Sequence, residues 1–259
     1  MRIVSTVCSN TEIVCALGGA ELLVGVDNHS DFPVDIVERL PRVGPDLTVD
    51  PEKIRALKPD LVLASLTVPG HEKVIASLEE AGLPYRAYQP FTIEDIYENI
   101  REIGELIGKK AEATALVARM REALRPHEPP PSGRPRLMVE WWPRPVIVPG
   151  KKSWVNQLIE LAGGINPLGE DDCESRPLED ADAAALDPDA IIISWCGVHF
   201  EKYREDVVLQ RDCFELTPAV SRGLVHKIPE AYLGRPGPRL VDGLRELRAV
   251  VEGCARFEA

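Results

Sequence analysis

Apolar residues in this chain fall into short aliphatic runs separated by stretches with helical spacing. The runs at 2–6, 23–26, 61–64, 137–140, 191–194 and 225–228 carry Val, Ile and Leu, and 84–88 carries two tyrosines. Their length and their Gly, Pro and Asp borders predict buried strands. Between them lie helix patterns. Residues 51–57 have Asp50 as N-cap and Pro51 at the first helical position. Residues 71–81 run to Gly82, and Thr92 opens a helix with Ile96, Ile100, Ile103 and Ile107 on one stripe. Residues 154–162 form another, and 239–254 place Leu240, Leu244, Leu247 and Val251 on one face. Ser9, with Glu12 three residues on, reads as a capping box for the helix after the first strand. Strands that alternate with helices imply an α/β fold with parallel sheets and right-handed crossovers.

The pattern repeats. Ala56-Leu57-Lys58-Pro59-Asp60-Leu61 returns about half a chain later as Ala185-Leu186-Asp187-Pro188-Asp189-Ala190. The helix opening at Ser9 and stopping at Gly18-Gly19 has an echo that opens at Ser153 and stops at Gly163-Gly164. Between the copies, residues 109–125 are nearly all strong helix formers, with Gly108 before and Pro126 after. At 1.5 Å per residue that helix spans about 25 Å, a stiff spacer. The expected architecture is two similar α/β lobes with parallel sheets, joined by one long rigid helix, with a ligand cleft between the lobes. The expected domains are 1–108, the connecting helix 109–126, and 127–259. The Pro-rich stretch 126–133 is the one linker-like segment.

Composition narrows the function. A net charge of −12 without a basic block argues against a nucleic-acid partner. No apolar run approaches the roughly 20 residues of a membrane span, and the first strand follows Met1 directly, so the sequence as written reads as cytoplasmic, or as periplasmic or membrane-anchored if an export signal was trimmed. The six cysteines show no C-x-x-C pair. No G-x-S-x-G, H-E-x-x-H or P-loop is present, which points away from an enzyme.

In open parallel sheets, ligands bind outside the carboxyl ends of the strands. Aromatic residues are only 5% of the chain, yet Trp141, Trp142, Trp195 and Tyr232 all follow second-lobe strands. They suit a flat or bulky ligand. Cys8, Cys196 and His29 also sit after strands, and a thiol or imidazole there suits a soft or borderline metal carried within a chelate. Arg144 and Arg235 suit ligand carboxylates or a phosphate.

Ser9-Asn10-Thr11-Glu12, Gly25-Val26, Ser30-Asp31-Phe32-Pro33 and the run 52–62 resemble the solute-binding components of ABC importers for cobalamin, ferric siderophores and haem. Pro149-Gly150-Lys151-Lys152-Ser153 and Pro238-Arg239-Leu240 bring the cobalamin binders nearest. The resemblance implies a non-enzymatic protein that binds a corrinoid in an interlobe cleft, for import or intracellular handling. A haem or ferric-siderophore binder is the alternative. A cytosolic enzyme or sensor with a reactive cleft cysteine is the alternative of another class. The ligand-binding set is Cys8, Ser9, Asn10, His29, Leu66, Thr67, Trp141, Trp142, Arg144, Trp195, Cys196, Gly197, Tyr232 and Arg235, with His29, Cys8 and Cys196 as groups that meet the chelated metal. No resident cofactor is required, and a monomer is expected.

The sequence departs from the family in three places. His29 stands where cobalamin binders carry an aromatic residue. Cys8 replaces a small residue or proline. Trp195-Cys196-Gly197 stands where relatives often have glycines. In the family, one surface glutamate on each lobe docks the permease. Glu72 matches on the first lobe, but Gly234 occupies the second position, with Glu230 nearby. The expectation is weak docking to a cobalamin-type permease.

Overall fold

The computed structural model describes residues 1–130 and 133–256. Residues 131 and 132 of the expected linker, and the final residues 257–259, lie outside the described residues. The chain divides into two compact units, Met1–Met120 and Arg121–Ala259.

In the first unit the order is β1 (Ile3–Ser5), α1 (Cys8–Ala16), β2 (Leu23–Val26), α2 (Val34–Val37), α3 (Pro51–Ala56), β3 (Leu61–Ser65), α4 (His71–Glu80), β4 (Tyr85–Tyr88) and α5 (Ile93–Leu106). The next helix, α6 (Lys110–Ala123), carries the boundary between the units. The sheet runs β2-β1-β3-β4 and is parallel throughout. Helix crossovers bury both faces of such a sheet, which is why its strands read as unbroken apolar runs. Val4, Val62 and Ala64 from the strands meet Ile54, Val74 and Leu78 from the helices in one core. The Asp50 carboxylate accepts from the Glu52 and Lys53 N–H groups at 3.0 and 3.2 Å. Thr92 and Asp95 form a reciprocal capping box, and Ile96, Ile100 and Ile103 are fully buried.

One cap is corrected. Helix α1 begins at Cys8 with Val7 as N-cap, and no side chain caps it. Ser9 and Glu12 are buried within the helix rather than paired across its first turn. The polar groups of this turn serve the sheet and the next loop instead. Asn10 Nδ2 donates to the Ala64 carbonyl at 2.9 Å, and Thr11 Oγ1 lies 2.9 Å from Ser30 Oγ.

In the second unit the order is β5 (Leu137–Glu140), β6 (Trp142–Pro143), β7 (Val146–Pro149), α7 (Trp154–Leu161), β8 (Ser175–Leu178), α8 (Asp180–Ala184), β9 (Ala190–Ile193), α9 (Asp206–Leu209), α10 (Pro218–Ser221), β10 (Val225–Lys227), α11 (Glu230–Leu233) and α12 (Leu240–Ala255). The parallel sheet runs β10-β9-β5. A second sheet, β6-β7-β8, is antiparallel. The sequence reading missed it because Val146, Ile147 and Val148 are all apolar, so no period of two shows, and Pro143, Pro149 and Pro177 break the strand pattern.

The turn at the centre of the internal repeat has the same backbone geometry in both units. Lys58 and Asp187 are the non-glycine residues with positive φ among the described residues, at 48° and 49°. After each left-handed turn, an aspartate latches the sheet. Asp60 Oδ2 accepts the Arg2 N–H at 2.7 Å, and Asp189 Oδ2 accepts the Arg136 N–H at 2.8 Å. The Asp60 and Asp189 amides donate back to the carbonyls of Arg2 and Arg136 at 2.8 and 2.9 Å. Even the β1–β2 pairing has a counterpart, reduced to a parallel bridge between Arg136 and Ile165. A charge-assisted hydrogen bond at a strand entry contributes about 1.5–3 kcal/mol when sheltered and less when exposed. Asp60→Ala and Asp189→Ala are each expected to lower the unfolding free energy by about 1 kcal/mol. Urea denaturation checks this, and a loss in only one variant would contradict the equivalence of the two latches.

Candidate functional site

At the carboxyl edge of the first sheet, Asp27 follows β2 and is fully buried. Its carboxylate gathers the loop that carries His29. Ser30 Oγ donates to Oδ1 at 2.5 Å, the His29 N–H donates to Oδ2 at 2.8 Å, and Cys8 Sγ lies 3.9 Å from Oδ2. Arg42 closes the loop from outside, donating to the carbonyls of Asp27 and Ser30 at 2.8 and 2.6 Å. The structure thus brings Cys8 and His29 together around one carboxylate. Asn10 is buried on the Ala64 carbonyl and Ser9 is 7% exposed, while Leu66 and Thr67 are half-buried at the end of β3. The Thr67 hydroxyl lies 2.8 Å from Ser65 Oγ. Asp46 joins the edge, 3.7 Å from His29 Nε2 and 3.6 Å from Nε2 of the buried His71. His71 Nδ1 accepts the Val68 N–H at 3.3 Å, which places the ring proton on Nε2, toward Asp46. Burial works to raise the Asp46 carboxyl, but the His71 contact and the neighbouring His29 hold it below the usual range.

Burial pushes the Asp27 carboxyl above its usual range, against the hydrogen bonds from Ser30 and His29. A carboxyl raised in the folded state contributes most stability at low pH, and that contribution is lost as pH rises through the folded value. The parent protein's stability relative to Asp27→Asn is therefore expected to be highest below the unfolded value of about 3.9 and to decline as pH rises above it. Denaturation midpoints across that pH range check it. A difference that is flat with pH would remove Asp27 as the titrating group.

At the carboxyl edge of the second parallel sheet, the aromatic residues divide into two groups. Trp141 is half-buried beside Trp154, with ring centroids 6.5 Å apart and planes at 39°. Its buried Nε1–H has no hydrogen-bond partner among the described residues. Trp142, on β6, is 41% exposed. Trp195 lies elsewhere: it is 5% exposed, belongs to the hydrophobic core, and donates from Nε1 to Glu140 Oε1 at 2.9 Å. It supports the edge from beneath and does not offer a free face. Tyr232 is half-buried with the Arg239 guanidinium 4.9 Å over its ring. Arg235 is held by Glu230, Nε to Oε2 at 3.1 Å, and Arg144 is exposed. Gly197 has a φ of +69° in the turn after Cys196. The Cys196 N–H donates to the Trp141 carbonyl at 3.0 Å, so these two candidates are neighbours. Burial pushes the Cys196 thiol far up, with the Glu230 charge adding to the effect. A thiol kept protonated is a poor nucleophile.

Sequence reasoning missed Asp27, Asp46, His71, Glu140, Tyr203 and Arg211. A buried glutamate closing the apolar run Leu137–Glu140 was the legible signal for one of them, since a charge at a strand end needs a partner. Among the described residues, no three His, Cys, Asp or Glu side chains are placed to hold a metal ion by themselves.

The chain is similar to an uncharacterised ABC transporter substrate-binding lipoprotein of Bacillus subtilis, 29% identical over 95% of this chain and 78% of that protein. It is 26% identical to a vitamin B12-binding protein of Vibrio cholerae, over 95% of this chain and 87% of the relative. Among solved structures, the periplasmic haem-binding protein RhuT from Roseiflexus sp. RS-1, in apo form, superposes with a TM-score of 0.81 at 26% identity, covering 98% of both chains. The sequence pattern of the periplasmic binding proteins matches residues 3–232. The chain belongs to the periplasmic binding protein family.

Proposed function

We propose that this protein is the substrate-binding component of an ABC importer and that its ligand is a metal-chelate macrocycle, first of all a corrinoid. The observation that carries the reading is Trp141: a half-buried indole at the sheet edge, stacked beside Trp154, with a buried N–H donor that no described residue accepts. A large ring system with peripheral carbonyl groups satisfies both the face and the donor. The exposed Trp142 and Arg144 extend the surface, Arg144 with positive charge for peripheral anions, while the Arg235 guanidinium is paired with Glu230. The names of the Vibrio and Roseiflexus relatives support a corrinoid or haem. The ligand is cargo, and neither a resident cofactor nor a covalent step takes part. The protonated Cys196 thiol favours binding over catalysis.

Cobalamin and haem, added separately, test the reading. One of them is expected to quench tryptophan emission with one-to-one stoichiometry. Trp141→Ala is expected to weaken that binding by about 1–3 kcal/mol, as for a buried aromatic anchor. No binding of either, or parental affinity in the variant, would overturn it. Haem is the second reading, favoured by His29. Its side chain is 46% exposed and its Nε2 faces Asp46, the carboxylate-backed setting of many metal-binding histidines. A haem spectrum that changes in His29→Ala would select it.

Docking follows from Glu72. Its carboxylate sits in the first turn of α4, accepts the Gly70 N–H at 2.8 Å, and is held below its usual range chiefly by backbone hydrogen bonds, so it stays charged at the surface. At Gly234 a Cβ would lie 2.9 Å from Glu230 Cγ, and the Glu230 carboxylate is engaged by Arg235. The second unit thus offers a neutralised glutamate in place of a free one, which supports weak docking. Mixing the ligand-loaded protein with permease in nanodiscs tests this; a tight complex abolished by Glu72→Ala would overturn it. No helix among the described residues is long and apolar enough to cross a membrane.

A further inference from the structure

We propose that the buried Glu140–Arg211 pair, with Trp195 and Tyr203, is a positioning device that sets the ligand-facing edge of the second unit; this rests on the binding role proposed above. Glu140 is the last residue of β5, directly before Trp141, and is fully buried. Its Oε2 accepts from Arg211 Nη1 at 2.5 Å, and its Oε1 accepts from Trp195 Nε1 at 2.9 Å and Arg211 Nη2 at 3.3 Å. Arg211 reaches two further elements. Nη2 donates to the Pro143 carbonyl on β6 at 2.8 Å, and Nε lies 3.3 Å from Asp180 Oδ1 on α8. One guanidinium therefore joins the end of β5, the hairpin that bears Trp142, and the start of α8.

The network continues through Trp195 to the rest of the edge. The Tyr203 hydroxyl donates to the Trp195 carbonyl at 2.9 Å and its ring packs on the indole at 5.6 Å between centroids. The same hydroxyl oxygen accepts the Glu230 N–H at 3.1 Å, where α11 begins. Glu230 in turn holds Arg235. The three segments that carry the candidate ligand groups, 141–144, 195–197 and 230–235, thus share one chain of hydrogen bonds whose centre touches no ligand position. A buried ion pair is a poor source of net stability compared with apolar packing, whereas its directional bonds specify geometry. Arg211 meets three groups, the Glu140 carboxylate, the Pro143 carbonyl and the Asp180 carboxylate, with one planar fork, which lysine cannot do.

The test uses the full chain without ligand, then with ligand. Glu140→Leu combined with Arg211→Met removes both charges and keeps the volume. It is expected to unfold cooperatively, as the parent does. Hydrogen exchange is expected to quicken tenfold or more at the Trp141 amide, which donates to Ile147, and at the Cys196 amide, which donates to Trp141, with α7 and the first unit unchanged. Affinity for cobalamin or haem, whichever the parent takes, is expected to fall at least tenfold. A folded double variant with parental exchange at both amides, or with exchange raised across the whole second unit, would make the pair merely structural. The exchange arm stands even if the parent binds neither ligand, so failure of the binding reading and failure of this one are separable. Should the double variant not fold, Trp195→Phe removes the indole N–H, with part of the ring, and leaves both charges in place. It is expected to quicken exchange at Cys196 and weaken binding severalfold, and no change in either would overturn the proposal.

Discussion

Arg211→Met as a single change is expected to lower the unfolding free energy by about 3–5 kcal/mol, the range for removing one partner of a buried pair. The Glu140 carboxylate would stay at the sheet edge, fully buried, with the Trp195 N–H as its remaining hydrogen-bond donor in this network. The Pro143 carbonyl would lose its donor as well. Methionine fills the space but returns neither charge nor hydrogen bonds, so the loss comes from desolvation left uncompensated. Chemical denaturation of the single and double variants decides it. The single change is expected to cost more than the double, because the double leaves no orphaned charge. A single-variant loss under about 1 kcal/mol would mean that water reaches Glu140, and the pair would not be buried in the sense used above.

Gly243→Val is expected to cost about 3 kcal/mol, at the upper end for overpacking. Gly243 lies in α12 with its missing side chain aimed at α11. A Cβ there would overlap the Tyr232 carbonyl oxygen and stand 2.9 Å from Leu233 Cδ2. Backbone cannot rotate away as a side-chain tip can, so α11 must shift. That helix carries Tyr232 and leads to Arg235, so ligand affinity is expected to fall together with stability. The readouts are thermal unfolding and the cobalamin or haem titration. Unchanged stability would show that α11 yields at little cost.

The frame was legible in the sequence because it is built from local rules. Asp50, Pro51 and Thr92 announced their helices through capping chemistry that depends on three or four neighbours. The repeat around Pro59 and Pro188 announced two similar units, since the same turn chemistry recurs. The misses are non-local. Ser9 and Glu12 fit a capping box by spacing, yet their side chains are buried in packing that only the assembled unit provides. The β6-β7-β8 sheet joins strands separated by a helix, and nothing in Ser175–Leu178 advertises its partner. At the edge itself, Trp195 looked like Trp141 from its place after a strand. Which of the two faces inward is decided by Glu140 and Tyr203, whose reach no spacing reveals. The carboxylate cluster of Asp27 and Asp46 was hidden for the same reason.

The twin latches at Asp60 and Asp189 close the amino ends of the two parallel sheets with the same bonds. The candidate recognition groups, carboxylates and histidines in one unit and indoles and guanidinium groups in the other, lie at the opposite ends of those sheets. A protein built this way can change what it recognises without renegotiating how it folds. The frame tolerates drift in its recognition side chains because the latches at the amino ends pass through none of them, and the bonds that register 141–144, such as the Trp141 N–H to the Ile147 carbonyl, are made by the main chain. A library that randomises residues 28–31 and 141–144 while leaving both aspartates intact would therefore retain folded members in high proportion, and selection on it would explore ligand chemistry rather than foldability.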